Sequence, residues 1–258
     1  PAIFSTMKSI SNILAFVAVV ACLQISAVAQ TAPAEVHQNT AIIPVPRTGS
    51  VTNRQNLVLE RAKAHPGDYD IEFIGDSITE GWETRGKNVW NELGGKYKII
   101  NMGVGGDRTE HVLWRFENGQ LDGIHAKAAV VMIGTNNSNK NKNGTEQYST
   151  PEILEGVEAI VNQIRTRQPD TKVLLFGIFP RGREFNEQRG RLLEINEVLA
   201  KLDDGKNIFY LDIGSQLIEK DGSISQDMMR DALHPGETGY KIWDNAIEAK
   251  YKEIFAAK

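Results

Sequence analysis

The chain has 258 residues, of which 41% are hydrophobic and 24% charged, and its formal net charge at pH 7 is −4. These proportions exclude a collagen-like, coiled-coil or wholly disordered protein. With 33 acidic and 29 basic residues, the chain also lacks the positive charge that nucleic-acid binding usually requires. We therefore expect a mildly acidic, soluble protein with one domain of roughly 200 residues and a tail.

The N-terminal residues have the pattern of an export signal. Lys8 precedes an unbroken apolar run from Ile13 to Leu23, and the small-residue stretch Ala27–Ala29 follows it. One basic residue, roughly a dozen apolar residues and an A-x-A site are typical of a secretory signal peptide, and the run is too short to span a bilayer. We expect residues 1–29 to be removed and the mature protein to be periplasmic or secreted.

Cys22, the only cysteine, leaves a second interpretation of this segment open. Residues 19–22, with the sequence VVAC, resemble a bacterial lipoprotein cleavage box, and cleavage there would leave a protein anchored to a membrane through a lipid on Cys22. Cleavage at the A-x-A site instead gives a mature chain without cysteine, which excludes disulfides, thiolate metal sites and a cysteine nucleophile. We expect membrane attachment only for the lipidated form.

Residues 30–53 are polar, contain Pro33, Pro44 and Pro46, and show no sustained periodicity. This composition predicts a linker or an arm on the surface of the domain that follows, residues 54–258. Such an arm could serve dimerisation, so the sequence leaves a homodimer open.

Beyond the arm, apolar runs rich in β-branched residues alternate with longer stretches of helical spacing. The runs predict strands at residues 71–75, 97–101, 128–134, 172–178 and 207–213, and the spacing predicts helices at 53–64, 107–116, 151–168, 187–202 and 237–255. Near-continuous apolar strands separated by helices are typical of parallel strands covered on both faces. We predict an α/β fold: a three-layer α/β/α sandwich with a five-stranded parallel sheet in the flavodoxin-like order 2-1-3-4-5.

In this topology, functional residues are expected just past the carboxyl ends of the strands, near the point where the strand order reverses. Three unusual segments follow the first three predicted strands, and one precedes the last helix: GDSITEGW at 75–82, NMGVGGD at 101–107, GTNN at 134–137 and DALHP at 231–235. Each alone also fits a helix cap, a tight turn or a surface ion pair. Their coincidence at four suitable positions favours a single site.

Ser77 and His234 are the candidates for a nucleophile and its base. A serine hydroxyl is a weak nucleophile unless a neighbouring base removes its proton. The other histidines lie in the arm, ahead of the first and third strands, or inside a predicted helix: His37, His65, His125 and His111. Only His234 lies in a loop three residues after an acid, and Asp231 could accept its imidazole N–H and fix the tautomer.

Acyl transfer also requires donors aimed at an oxyanion. Residues 103–106 can expose backbone N–H groups, because glycine tolerates close approach and positive φ. The amide of Asn136 adds a side-chain donor, and the backbone N–H of Ser77 a third. No Gly-Lys-Ser/Thr follows the glycines, and His234 is the only histidine at the predicted site. We therefore expect neither a nucleotide nor a metal ion.

The four segments together resemble the four blocks of the SGNH, or GDSL, hydrolases. The resemblance covers about residues 54–256 and is greatest for catalytic subunits of the platelet-activating factor acetylhydrolase Ib type, through GVGGDRTEHVLWRFENGQLDGI and FGIFPRG. It implies an esterase without a cofactor, in which Ser77 is the nucleophile, His234 the base and Asp231 its partner. It also implies that Ser77 N–H, Gly106 N–H and the Asn136 side chain hold the oxyanion. Preferring Gly106 to Gly105 rests on counting from residue 101.

Two departures from the family pattern bear on the substrate. Many members have G-x-N-D in the third block, where this chain has Asn137, as the acetylhydrolase subunits do. Those subunits are cytosolic in animals, whereas this chain has an export signal, so it is more similar to acetylesterases that remove O-acetyl groups from carbohydrates. We expect a short-acyl serine esterase that forms an acyl-serine intermediate on a small-molecule or glycan ester. A lipid-directed esterase (a lysophospholipase or an acetylhydrolase) and a catalytically silent binding module remain the alternatives.

Overall fold

The computed structural model describes residues 38–255, so the predicted signal peptide and Cys22 lie outside the described residues. Its five strands are β1 (Gly67–Gly75), β2 (Ile99–Asn101), β3 (Ile124–Met132), β4 (Lys172–Phe176) and β5 (Ile208–Leu211). They form one sheet in the order β2-β1-β3-β4-β5, and every adjacent pair is parallel. The predicted fold class and strand order are confirmed.

Seven α-helices accompany the sheet in the described part of the chain: α1 (Thr52–Ala64), α2 (Ser77–Glu80), α3 (Lys87–Gly94), α4 (Thr109–Glu117), α5 (Thr150–Arg167), α6 (Glu187–Leu199) and α7 (Glu237–Phe255). Helices α4, α5 and α6 cover one face of the sheet, and α3 and α7 cover the other. Neighbouring strand residues therefore enter different cores: Val130 of β3 packs towards α7, and Val131 packs towards α5. Among residues 38–255, no helix combines the length and apolarity that crossing a membrane requires.

Several predicted strands extend past the observed ones at their carboxyl ends. The strands end at Met132, Phe176 and Leu211, but apolar residues continue beyond them. Ile133, Ile178 and Ile213 are buried in the loops above the sheet, so their hydrophobicity reflects packing and not strand pairing. These loops begin on buried side chains, which fixes the backbone at the edge where the candidate site lies.

Residues 38–45 lie along α4 and α5. The carbonyl of the fully buried Ala41 accepts a hydrogen bond of 2.8 Å from Thr109 Oγ1, and Val45 N–H donates to the carbonyl of Glu110 at 3.3 Å. Further along, a guanidinium N–H of Arg47 donates to the carbonyl of Gly106 at 3.1 Å. The described part of the arm therefore reaches the glycine segment that follows β2.

Candidate active site

Ser77 is the first residue of α2, immediately after β1 ends. Asp76 caps this helix, because its Oδ1 accepts a hydrogen bond of 2.9 Å from Ile78 N–H. The turn requires glycine at residue 75, where a Cβ would lie 2.2 Å from Thr79 Oγ1 and 2.4 Å from the carbonyl oxygen of Met132. The sharp strand-to-helix turn thus places the Ser77 side chain at the carboxyl edge of the sheet.

His234 and Asp231 come from the loop before α7 and complete a hydrogen-bonded chain with Ser77. His234 Nε2 lies 2.9 Å from Ser77 Oγ, and His234 Nδ1 lies 2.6 Å from Asp231 Oδ2. Between the acid and the base, Ala232 has a left-handed φ of +56°, which folds the loop back on itself. The structure therefore brings together the serine, histidine and aspartate that the sequence singled out.

Asp231 is held in its ionised form. Partial burial acts to raise its pKa, but hydrogen bonds from the backbone and the imidazole of His234, and from Leu233 N–H, outweigh burial and lower the pKa to about 2. The backbone donors lie 2.8 and 3.1 Å from Asp231 Oδ1. An ionised Asp231 keeps the imidazole proton on Nδ1, which leaves Nε2 free to accept the hydroxyl proton of Ser77.

The glycine segment after β2 lies against α2. Asn101 Nδ2 donates to the carbonyl of Thr79 at 2.9 Å, and a Cβ at Gly103 would lie 2.3 Å from Glu80 N. Gly105 N–H donates to Glu80 Oε2 at 2.7 Å, whereas the N–H of Gly106, whose φ is +70°, has no acceptor among residues 38–255. Of the two glycines that the sequence left as candidate oxyanion donors, Gly106 is the one whose N–H is free.

Asn136 follows β3 and reaches the same corner. Its Nδ2 donates to the carbonyl of Asp107 at 2.9 Å and lies 3.4 Å from Asp76 Oδ2, a weak contact that leaves one N–H nearly free. The neighbouring Asn137 is fully buried, accepts from Thr109 N–H at 3.1 Å and donates to Thr109 Oγ1 at 3.0 Å. Asn137 thus joins the end of β3 to the start of α4 and fixes the loop that carries Asn136.

Charged groups beneath the site were missed by the sequence analysis. Asp76 is fully buried, and this burial raises its pKa to about 7 against the opposing effects of the Ile78 N–H and of Arg181. Asp107 forms a buried ion pair with Arg115. Neither the carboxyl of Asp76 nor this ion pair has a local pattern that indicates burial, because both depend on packing between distant segments.

His111 has a structural role. It is buried, its Nδ1 accepts a hydrogen bond of 3.0 Å from Arg108 N–H, and burial is the largest cause that lowers its pKa, to about 3. It is therefore neutral and engaged at the start of α4. Within residues 38–255, no cluster of three or more histidine, cysteine, aspartate or glutamate side chains is arranged to hold a metal ion.

A cavity of about 640 Å³ opens beside His234 and Asp231. Arg85, from the turn before α3, and Arg230, next to the acid, contribute charged side chains to it. The remaining lining residues are Gln226, Pro235 and Gly236. Apart from Pro235 and Gly236, the residues that border the space next to the imidazole therefore have charged or polar side chains.

Comparisons with known proteins agree with this geometry. Residues 73–242 match the model of the GDSL-like Lipase/Acylhydrolase family. Platelet-activating factor acetylhydrolase IB subunit alpha2 of Rattus norvegicus is 39% identical over 172 residues, which cover 66% of this chain and 71% of that protein. Subunit alpha1 of Homo sapiens is 36% identical over 188 residues, covering 72% of this chain and 77% of that one.

Solved structures share the fold at lower identity. A GDSL-like lipase from Bacteroides thetaiotaomicron has a TM-score of 0.61 at 19% identity, and the match covers 79% of this chain and 99% of that one. The acetyl xylan esterase AlAXEase has a TM-score of 0.60 at 21% identity, covering 70% and 98% of the two chains. The family match spans well over half of the sequence, and it coincides with the β1–α7 region that contains Ser77 and His234. The chain therefore belongs to the GDSL-like lipase/acylhydrolase family and is a carboxylic ester hydrolase.

Proposed function

We propose that the hydrolase is a serine esterase in which Ser77 attacks the ester, His234 is the general base and Asp231 orients it. The observation that carries the proposal is the continuous hydrogen-bonded chain from Ser77 Oγ through the imidazole to Asp231 Oδ2, with distances of 2.9 and 2.6 Å. This arrangement supplies a base for the nucleophile and a fixed tautomer for the base. Family membership, together with these two hydrogen bonds, argues against a catalytically silent binding module.

In the first half-reaction, Ser77 Oγ forms a bond to the ester carbonyl carbon while its proton passes to His234 Nε2. The carbonyl electron pair moves onto oxygen, where the N–H groups of Ser77 and Gly106 and the amide of Asn136 donate hydrogen bonds to the oxyanion. As the tetrahedral intermediate collapses, the bond to the alcohol oxygen breaks, and His234 protonates that oxygen. Water then attacks the acyl-serine by the same sequence of proton transfers, which releases the carboxylic acid and restores Ser77.

We further propose that the acyl group is acetyl and that the alcohol is a carbohydrate. The curated relatives are acetylhydrolases by name, and one structural neighbour is an acetyl xylan esterase. Within this structure, support comes from the polar lining of the cavity beside His234, to which Arg85 and Gln226 contribute. Hydroxyl-rich alcohols match such a lining better than alkyl chains do.

A lipid-directed esterase is the second candidate, because the relatives at 36–39% identity are named for platelet-activating factor. The two candidates differ in the alcohol part of the ester and in tolerance of long acyl chains. We keep an exported location, through a signal peptide at residues 1–29 or a lipid on Cys22, as part of the proposal.

Hydrolysis of p-nitrophenyl acetate, butyrate and decanoate by wild type and by Ser77→Ala tests the mechanism. We expect acetate to be the best of the three substrates and Ser77→Ala to lose nearly all activity. Acetate release from acetylated xylo-oligosaccharides and from a 2-acetyl glycerophospholipid then separates the two candidates. Faster turnover of decanoate, or of the phospholipid, would favour the lipid esterase, and an active Ser77→Ala variant would refute the role of the serine.

A further inference from the structure

Arg85 and Arg230 differ from the other arginines of the chain. Each of the others makes at least one hydrogen bond or ion pair with a described residue; they are Arg47, Arg54, Arg61, Arg108, Arg115, Arg165, Arg167, Arg181, Arg183, Arg189 and Arg191. Within residues 38–255, the exposed guanidinium groups of Arg85 and Arg230 have no such partner. These two cations line the same cavity, the one next to His234 and Asp231.

The backbone that carries each of the two arginines is fixed. Next to Arg85, the N–H of Gly86 donates to the carbonyl of Gly81 at 3.0 Å, and a Cβ at Gly86 would lie 2.6 Å from the ring of Tyr240. The carbonyl of Arg230 accepts a hydrogen bond of 2.9 Å from the guanidinium of Arg183. The two side chains therefore extend from anchored segments, and a ligand would have to order only the side chains themselves.

The charge of the cavity is opposite in sign to that of the whole protein. The chain has a formal net charge of −4, but two arginines and one carboxylate line this cavity. That carboxylate, Asp231, already accepts hydrogen bonds from His234 and from two backbone N–H groups. Arg85 and Arg230 are thus left to attract an anion, and guanidinium groups bind carboxylate and phosphate oxygens through paired N–H donors.

The position of the cavity indicates which part of the substrate it contacts. Ser77 and the proposed oxyanion donors Gly106 and Asn136 do not line it, whereas His234 does, and its Nε2 lies 2.9 Å from Ser77 Oγ. In the proposed mechanism His234 protonates the departing alcohol oxygen, so the alcohol part of the ester must lie against the imidazole. A group in this cavity therefore belongs to the alcohol and not to the acyl chain.

We propose that the cavity is a subsite for an anionic group, a carboxylate or a phosphate, on the alcohol part of the ester, with Arg85 and Arg230 as specificity-determining residues. This inference rests on the proposed serine esterase function. For a glycan, the corresponding substrate is an O-acetylated acidic sugar such as a uronate. A phosphorylated sugar presents the same chemistry.

Two acetate esters whose alcohol parts differ in charge provide the test: 4-acetoxybenzoate, which has a free carboxylate, and methyl 4-acetoxybenzoate, in which a methyl group neutralises it. We expect wild type to prefer the anionic ester. Arg85→Gln and Arg230→Gln should each lower kcat/KM for that ester by roughly 3- to 10-fold, through KM, and should lower it for the neutral ester by a clearly smaller factor. Lys206→Gln is the matched control, because it removes one positive charge from the exposed turn before β5, at the opposite edge of the sheet. Raising the salt concentration should reduce the preference of wild type for the anionic ester. It should not change the ester preference of a variant that combines Arg85→Gln and Arg230→Gln.

Binding of both esters to Ser77→Ala, measured by calorimetry, separates this inference from the proposed function. Anion-selective binding that is lost in Ser77→Ala with Arg85→Gln and Arg230→Gln supports the subsite even if wild type hydrolyses neither ester. Equal treatment of the two esters by wild type, or equal losses on both in the arginine variants, overturns the subsite while Ser77-dependent hydrolysis remains intact. An acetylated methyl glycoside of galacturonic acid, with its carboxylate free, and acetylated glucose 6-phosphate then distinguish the carboxylate from the phosphate.

Discussion

Because of Glu72, the free energy of unfolding of this enzyme should fall as pH rises. The residue lies in the middle of β1, between Ile100 of β2 and Ala129 of β3, and is fully buried. No described residue donates a well-formed hydrogen bond to either of its carboxylate oxygens. Burial raises the pKa of Glu72 from 4.5 to about 8, and the opposing effect of the Gln168 amide is smaller.

The sign and size of the effect follow from proton linkage. Between pH 4.5 and about 8 the folded protein holds a proton on Glu72 that the unfolded chain has released. The full stability is therefore present below pH 4.5 and is lost as pH rises through the folded-state pKa. Each pH unit in this interval costs up to about 1.4 kcal/mol, so the loss across the interval is at most about 5 kcal/mol. Asp76, whose pKa is raised to about 7, adds a change of the same sign.

Glu72→Gln removes the ionisation of this residue and keeps its shape. We expect the variant and wild type to differ little in free energy of unfolding at pH 5, and the variant to be more stable by several kcal/mol at pH 9. Urea unfolding followed by circular dichroism between pH 5 and pH 9 measures the difference. The contribution of Asp76 to the pH dependence is the same in both proteins and cancels in their difference. Glu117→Gln, at the exposed end of α4, is the control for removal of a surface charge. Parallel stability curves for wild type and Glu72→Gln would refute the reasoning.

Two further substitutions test the site, and a third tests the stability of the fold next to it. Asp231→Asn should lower kcat for p-nitrophenyl acetate by roughly 10³- to 10⁴-fold, because the amide no longer stabilises the charged imidazole, while the thermal midpoint changes little. Asn136→Ala should lower kcat by roughly 10²- to 10³-fold with a smaller change in KM, which steady-state kinetics would show. Tyr240→Phe removes the 2.7 Å hydrogen bond to the carbonyl of Ile78 and should destabilise the fold by roughly 1 kcal/mol in urea titration. An unchanged kcat in either of the first two variants would exclude the role assigned to that residue.

The strands and the positions of Ser77 and His234 could be predicted because their signals are local, and the strand order could be predicted because five parallel strands with helical crossovers fit a common topology. An apolar run between two segments whose apolar residues recur at helical spacing is sufficient to predict a buried parallel strand. Parallel strands place all their carboxyl ends at one edge of the sheet. Any unusual loop after such a strand must then lie near the others. The prediction did not require knowledge of which side chains touch.

Features that depend on contacts between distant segments could not be predicted in this way. Helix α3 was missed, because its eight residues contain only a short apolar pattern and its packing partner, α7, lies more than 140 residues away. Glu72 looks like a polar interruption of an apolar run, although it is as buried as its neighbours. The contact between Arg47 and the carbonyl of Gly106 joins the arm to the glycine segment. Nothing in the sequence of either segment indicates that the two are in contact.

The choice between Gly105 and Gly106 depends on a residue that belongs to a recognised motif but whose contact cannot be predicted from the sequence. Glu80 belongs to the GDSITEG segment, three residues after Ser77, and its carboxylate accepts a hydrogen bond of 2.7 Å from Gly105 N–H. The carboxylate that engages one glycine leaves the N–H of the next one free. The same helix α2 that presents Ser77 therefore also determines which glycine N–H is free for the proposed role of oxyanion donor, and this requires only that Glu80 and the glycine segment meet. Their meeting is fixed by the pairing of β1 with β2, which is a property of the sheet and not of either motif.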